Sequence, residues 1–238
     1  MPRSGRVLVD EGAYYVFTHG NNGQPVFHHE ADFQRYLGLL AASACAHQVA
    51  VYHFALLPTH VHLIVQVARG QRLSKAMHRL NLTYALYYRS RYHYRGHLWQ
   101  GRFKSLLVNS HQYLLACGRY VELQPVRAGL VQEPAAHRWS SYHVYAQGRE
   151  DPVVTLNPLY AALGSSPTER QQRYRQFASE GLAVHETRAR EGRQALVSES
   201  SQLLRPLEEL MGFPAGWRRP GRPRKHALVP RNIAPSPV

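Results

Sequence analysis

Apolar residues along this chain fall into short strand-like runs and longer helical stripes, and the switches between them mark out its elements. Tyr14 to His19 is β-branched and aromatic, which predicts a strand, closed by the turn Gly20-Asn21-Asn22-Gly23. From Glu30 to Ala46 the residues Phe33, Tyr36, Leu37, Leu40 and Ala44 recur at helical spacing and form one apolar face. Val49 to Leu56 is a second strand, joined by a Pro58-Thr59 turn to a third over His60 to Gln66. After a break at Gly70, Leu73 to Arg91 reads as a long helix with Leu80, Tyr84, Tyr87 and Tyr88 along it. Leu106 to Val108 completes a strand. Ser110 is placed to cap a helix through Tyr113, Leu114, Cys117, Tyr120 and Val121. That helix is expected to end at Gln124, because the residue before Pro125 is biased out of the α region.

Beyond Pro134 the pattern changes. Ser140 to Asp151 is polar and rich in turn formers, and Pro167-Thr168-Glu169-Arg170 starts another helix carrying Tyr174 and Phe177. Thr187 to Leu210 reads as one or two more helices. The expected division is a main domain over 1–148, a helical extension over 149–212 and a basic tail over 213–238. The extension is either a packing element or a DNA-reading unit. The tail ends in Ala234-Pro235-Ser236-Pro237-Val238, disordered by composition.

Length and composition narrow the class. The 238 residues fit one sizeable domain with appendages, or two small ones. A formal charge of +14 makes a polyanion the default partner, and the aromatic content favours nucleic acid. No Asp or Glu lies between Asp32 and Glu122, an interval that holds Arg35, Arg69, Arg72, Lys75, Arg79, Arg89, Arg91, Arg95, Arg102, Lys104 and Arg119. This gap removes paired-carboxylate glycosidase chemistry and carboxylate-held two-metal nuclease chemistry from the body of the domain. Cys45 and Cys117 sit in helical contexts without CxxC spacing and read as reduced core thiols. No apolar run approaches a membrane span and no signal-peptide core opens the chain, so a cytoplasmic protein is expected.

Two stretches suggest chemistry. On a strand, His60 and His62 project to one face with their Cα atoms roughly 7 Å apart. Two imidazoles so placed are either packed strand residues or a pair that shares a divalent ion, and the second possibility requires a third ligand. Tyr120 and Gln124, four apart, lie on one helical face about 6 Å apart along the axis. Between these, His93 to Ser105 interleaves aromatics with bases and glycines. Trp99 there offers a stacking surface for unpaired bases, and Arg95, Arg102 and Lys104 offer phosphate contacts.

These motifs, in this order, resemble the single-tyrosine HUH transposases, and within them the REP-associated tyrosine transposases of bacteria. The resemblance rests on His60-Val61-His62, Gly96-His97-Leu98-Trp99-Gln100-Gly101-Arg102-Phe103-Lys104, Arg119-Tyr120, Pro125-Val126-Arg127-Ala128-Gly129 and Trp139-Ser140-Ser141-Tyr142, and spans about residues 10 to 145. It implies an α+β fold with a ferredoxin-like antiparallel sheet backed by helices. It implies Tyr120 as nucleophile, with His60, His62 and Gln124 as ligands of one divalent metal ion. Many relatives have Asn in the position of Gln124, and both residues offer an amide oxygen. Ligand softness by itself points to zinc or manganese, whereas the resemblance points to Mg2+ or Mn2+. Arg119 joins Arg95, Trp99, Arg102 and Lys104 as an expected DNA contact. The implied activity nicks and joins single-stranded DNA near hairpins such as REP-like palindromes, through a 5′-phosphotyrosine intermediate. The implied protein is nucleoid-associated, as a monomer or a homodimer.

The tail carries its own motif. Arg218-Arg219-Pro220-Gly221-Arg222-Pro223-Arg224-Lys225 resembles an AT-hook, in which prolines keep the chain extended and arginines meet the electronegative floor of an A/T-rich minor groove. Arg219, Arg222, Arg224 and Lys225 are the expected contacts to duplex DNA; the plainer alternative is a nonspecific basic tail. Two other functions fit parts of the chain: a hairpin-binding protein or repressor that does not cut, and a mononuclear zinc hydrolase. The first leaves His60, His62, Tyr120 and Gln124 without a common purpose, and the second lacks a carboxylate base near the histidines.

Overall fold

A computed structural model describes residues 8–108 and 113–190, the last eight of them as backbone only. The elements run β1 (Ala13–His19), α1 (Glu30–His47), β2 (Val49–Leu57), β3 (His60–Val67), α2 (Gly70–Tyr92), β4 (Lys104–Leu107), α3 (Leu114–Glu122), α4 (Gln124–Arg127), α5 (Tyr142–Gln147) and α6 (Pro167–Arg190). The strands form one sheet in the order β2-β3-β1-β4, with every neighbouring pair antiparallel. A βαββαβ chain in that order is the ferredoxin-like, α+β arrangement that the motifs implied.

Strand alternation divides the core into two layers. Tyr14, Val16, Leu63, Val65, Phe54 and Leu56 face α1 and α2, where they meet Tyr36, Leu40, Leu73, Met77 and Tyr84. Tyr15, Phe17, Ile64, Ala55 and Leu57 face the other way, against Leu114, Cys117, Tyr120 and Val121 of α3. The second layer can form because Gly118 lets α3 lie close to β2; a Cβ there would run into the His53 ring.

The sequence places most elements within a few residues, and the differences have local causes. The last strand begins at Lys104 and not at Leu106, because residues 104–107 pair with Phe17–Tyr14. The helix bearing Tyr120 does not stop at Gln124. It kinks at Leu123, which stays in the right-handed region at φ −87° and ψ −2°, and continues as α4. Pro125, with no N–H to offer the preceding turn, accounts for the break. Tyr120, Gln124 and Arg127 therefore keep an i, i+4, i+7 relation. Cys117 is buried as expected, but Cys45 is exposed on α1; both are free thiols. Ser110 and the 213–238 tail lie outside the described residues.

The extension expected from residue 149 packs, over its described residues, on the same body. Thr155 N donates to Val51 O at 2.8 Å, along the outer edge of β2, and Val153 joins the α1/α2 layer. Tyr142 and Tyr145 of α5, Tyr160 of the short 3-10 helix Pro158–Leu163 and Tyr174 of α6 make a third cluster behind α3. Among the described residues no helix is long and apolar enough to cross a membrane.

Candidate functional site

The register of β1 and β3 builds one wall of the site. His19 pairs with His60 and Phe17 with His62, so all four side chains share the face that α3 covers. The His60 and His62 rings lie 4.9 Å apart and nearly perpendicular, with Phe17 5.0 Å from His62 and His19 stacked 5.8 Å from His60. Each histidine is held through Nδ1 by a hydroxyl: His62 by Tyr15 Oη at 2.7 Å, and His60 by Thr59 Oγ1 at 2.8 Å. With Nδ1 carrying the proton and donating to those oxygens, both rings present an Nε2 lone pair. A supporting hydrogen bond of this kind fixes tautomer and orientation at metal-binding histidines.

Burial keeps both rings neutral. It lowers the pKa of His60 to about 4, with His19 adding to the effect. For His62, which is fully buried, burial again acts first, followed by His60, Arg127 and His19, and the pKa falls well below the usual imidazole range. The Nε2 atom of His62 is buried and has no hydrogen-bond partner among the described residues. Such an atom costs stability unless something satisfies it, and a cation ligand would do so.

The other wall is the α3–α4 segment. Tyr120 is buried, its ring edge-on to Tyr15 with centroids 6.2 Å apart. Tyr15 thus sits between Tyr120 and His62, 5.9 Å from the latter. Gln124 is buried, and its Nε2 donates to Tyr120 O at 3.1 Å. The Arg127 guanidinium lies 4.5 Å from the centre of the Tyr120 ring. Burial pushes the Tyr120 hydroxyl up to about 12, against the opposing pull of Arg127 and of a hydrogen bond from Gln124. Among the described residues no three His, Cys, Asp or Glu side chains gather into a metal-binding group. The resemblance implies the Gln124 amide oxygen as a further ligand beside the two histidines. Two imidazole nitrogens, one of them buried without a partner, and an amide oxygen make a donor set that suits one divalent ion.

The expected DNA contacts divide. Lys104 pairs with Phe17, which pairs with His62, so Lys104 stands at the β4 end of a row that crosses the site face. Arg95 and Arg102 are exposed in the segment between α2 and β4. That segment is fastened beside His60: Gln100 Oε1 meets His19 Nδ1 at 3.0 Å, and Asn21 N donates to Leu98 O. Trp99 is no stacking platform. It packs in the core against Tyr36 and Tyr84, and its indole N–H donates to Asn81 O at 3.0 Å. Arg119 points away from the site, 3.9 Å from the centre of the Phe177 ring, and donates to Phe177 O at 2.8 Å. Tyr15, His19 and Arg127 were not singled out from the sequence; Arg127 lay within a quoted motif, whereas the two β1 residues became visible only through strand register.

Known proteins resemble this chain in sequence and in fold. The family model described as "Transposase IS200 like" matches residues 11–124, which takes in β1 through Gln124. Among solved structures, that of a REP-associated tyrosine transposase bound to a REP hairpin matches with a TM-score of 0.52 and 16% identity, covering 65% of this chain and 92% of the other. A putative transposase from Deinococcus radiodurans matches with 19% identity and a TM-score of 0.36, covering 52% of this chain and 98% of the other. No curated protein matches the sequence.

Proposed function

We propose that this chain, whose residues 11–124 match the family model described as "Transposase IS200 like", nicks and rejoins single-stranded DNA beside hairpins, with Tyr120 as the nucleophile. The observation that carries this reading is the meeting, on one face of the sheet, of the partnerless His62 Nε2 with the helix that bears Tyr120 and Gln124. His60, His62 and Gln124 would hold one Mg2+ or Mn2+ ion. When bound, that ion supplies positive charge to the nonbridging oxygens of the scissile phosphate.

The protein's own groups do the rest. Tyr120 Oη attacks phosphorus, the bond from phosphorus to the 3′-oxygen breaks, and the 5′-phosphate stays on the tyrosine. The phenolic proton passes to water, and the departing 3′-oxygen takes up a proton to become a 3′-hydroxyl. Burial pushes the phenol up to about 12, so it holds its proton at neutral pH and must give it up for attack. Arg127, over the ring, favours the charge that develops on the phenolic oxygen. One phosphodiester bond is exchanged for another, so attack by a second 3′-hydroxyl completes transfer without ATP.

Lys104, Arg95 and Arg102 would follow the phosphates into the site from the β4 edge. Hairpin DNA is the favoured substrate, since the transposase of similar fold was solved with a REP hairpin. The tail residues Arg219, Arg222, Arg224 and Lys225 would add A/T-rich duplex affinity that weakens steeply with salt, and truncation after Gly216 should remove that increment while leaving nicking intact. A cytoplasmic, nucleoid-associated protein follows from these partners. The test is a hairpin with single-stranded flanks, labelled 3′ of the nick, incubated with the protein and Mn2+ and run on a denaturing gel. Label that migrates with the protein, and is lost in EDTA, is expected. Tight hairpin binding with no covalent label would instead make this a binding protein or repressor.

A further inference from the structure

Behind the helix that carries Tyr120 lies a buried polar cluster that the chemistry above does not use. Glu122, two residues from Tyr120 and two from Gln124, is 1% exposed. Its carboxylate accepts from Ser141 Oγ at 2.5 Å and from Tyr174 Oη at 2.6 Å, and its Oε1 lies 2.9 Å from His53 Nδ1. These partners come from the residue that precedes α5, from α6 and from β2. His53 is gripped in turn, stacked 4.3 Å from the Tyr145 ring, with Nε2 3.0 Å from Asn157 Nδ2. Burial and the Glu122 carboxylate push the Tyr174 hydroxyl far above its ordinary pKa, so it stays a donor.

Around the helix the residues divide by angle. Tyr120, Gln124 and Arg127 recur at i, i+4 and i+7 toward the site. Arg119, Glu122 and Leu123 recur at i, i+3 and i+4 toward α6, where Arg119 covers the Phe177 ring and both Arg119 and Leu123 crowd Gly181. The short α3 is thus held in azimuth from two sides, by the sheet and by α6. Glu122 is one of two buried carboxylates among the described residues, and the other, Asp32, lies on the opposite face of the sheet, so nothing else about Glu122 explains a carboxylate sealed behind α3.

We propose that Glu122 and Tyr174 are positioning residues for the nucleophile, and that α6, beyond the 11–124 family match, is part of the catalytic scaffold through the Tyr174–Glu122 hydrogen bond. This inference rests on Tyr120 being the nucleophile. The lever is short and steep. A side-chain tip about 5–6 Å from a helix axis moves about 1 Å for a rotation of about 10°. A misplacement of about 1 Å at a reacting group costs up to about a hundredfold in rate.

The test uses the full-length protein and single-turnover cleavage of the labelled hairpin substrate, with protein in excess and Mn2+ present. The rate constant is read separately from the amplitude, alongside hairpin affinity and thermal midpoint. Tyr174→Phe and Glu122→Gln should slow the rate constant at least tenfold, with hairpin affinity within twofold of wild type. Tyr160→Phe is the control: its hydroxyl donates to Tyr145 O at 2.8 Å in the same cluster but does not touch Glu122. That variant should lower the thermal midpoint while leaving the rate constant within twofold. A purely structural role would lower amplitude and midpoint in all three variants and leave the rate constants alike, which overturns the proposal. An equal slowing by Tyr160→Phe overturns it as well. A wild-type protein that forms no adduct removes both this inference and the nucleophile it rests on, whereas a wild-type adduct with an unchanged Tyr174→Phe rate constant removes the positioning role alone.

Discussion

The two faces of this sheet are made by the same strands and have been put to different uses. Toward α1 and α2 the side chains are aromatic and aliphatic, and the polar groups among them mainly tie elements together. Tyr84 Oη donates to Val26 O at 2.6 Å, Ser43 Oγ to Ala76 O at 2.9 Å, and Asp32 accepts from Tyr87, Tyr92 and the His28 and His29 amides. Tyr36 Oη lacks a partner there, but burial pushes its pKa far up and it stays a neutral phenol. Toward α3, alternate residues of the same strands set the imidazoles of His60 and His62 against the helices that carry Tyr120 and Gln124, with the buried Nε2 of His62 unpartnered among the described residues. A one-residue shift of register would exchange the two sets. Stability and chemistry are thus separated by side-chain alternation and not by distance along the chain.

That separation predicts how each face responds to damage. His62→Ala should reduce cleavage by more than about a hundredfold, beyond what loss of a supporting partner costs, while hairpin affinity measured by fluorescence anisotropy changes little. A variant that still cuts in Mn2+ would take His62 out of the site. On the opposite face Tyr84→Ala should cost about 3–5 kcal/mol of stability, the range for emptying an aromatic core position, read as a lower urea midpoint. Its cleavage rate constant per folded molecule should match wild type; a loss of rate without a loss of stability would show the faces to be coupled.

Tyr15→Phe sharpens the comparison, because it touches the site without touching DNA. It removes the hydroxyl on His62 Nδ1 and should weaken Mn2+ affinity by about 10–100-fold, seen as a shift of the metal titration of cleavage. An unshifted titration would mean that Tyr15 only fills space. The smallest effect is expected at Asp32. Burial works against its charged form, but the hydrogen bonds from Tyr92, the His28 and His29 amides and Tyr87 outweigh it and hold the pKa below the ordinary carboxylate value. The stability it contributes is therefore present above an unfolded-state pKa of about 3.9 and lost as pH falls through the lower folded-state value. Asp32→Asn should unfold at lower urea than wild type at pH 7, and the gap should close below about pH 4. A gap that persists in acid would assign the effect to packing instead of charge.

Much of the site was legible in the sequence because it is local. The period of two puts His60 and His62 on one face of β3, and four-residue spacing puts Tyr120 and Gln124 on one face of a helix. What stayed hidden depends on pairing between distant segments. Tyr15 and His19 became site residues only once β1 was set in register with β3. Trp99 and Arg119 read as DNA contacts from their neighbours in sequence, yet long-range packing commits one to the α1/α2 core and the other to Phe177. Glu122 could be noticed as the acid that ends the acid-free interval, but its partners His53, Ser141 and Tyr174 come from three other segments. Polar composition marked the boundary near residue 148, but not the contact by which the following extension meets β2 through Thr155.

The central claim is that Tyr120, and no other of the fifteen tyrosines, forms the covalent bond to DNA. Tyr113, the nearest alternative along the helix, is exposed and lies two turns away, about 10 Å along the axis. Tyr120→Phe removes one oxygen and leaves the ring between Tyr15 and Arg127. The decisive measurement is denaturing electrophoresis of the wild-type and Tyr120→Phe proteins after reaction with hairpin DNA labelled 3′ of the nick, followed by peptide mass mapping of any adduct. Label on the wild-type peptide containing Tyr120 is expected, with none on the variant and equal hairpin affinity for both. A labelled Tyr120→Phe protein, or a wild-type adduct mapped to a different tyrosine, would contradict it.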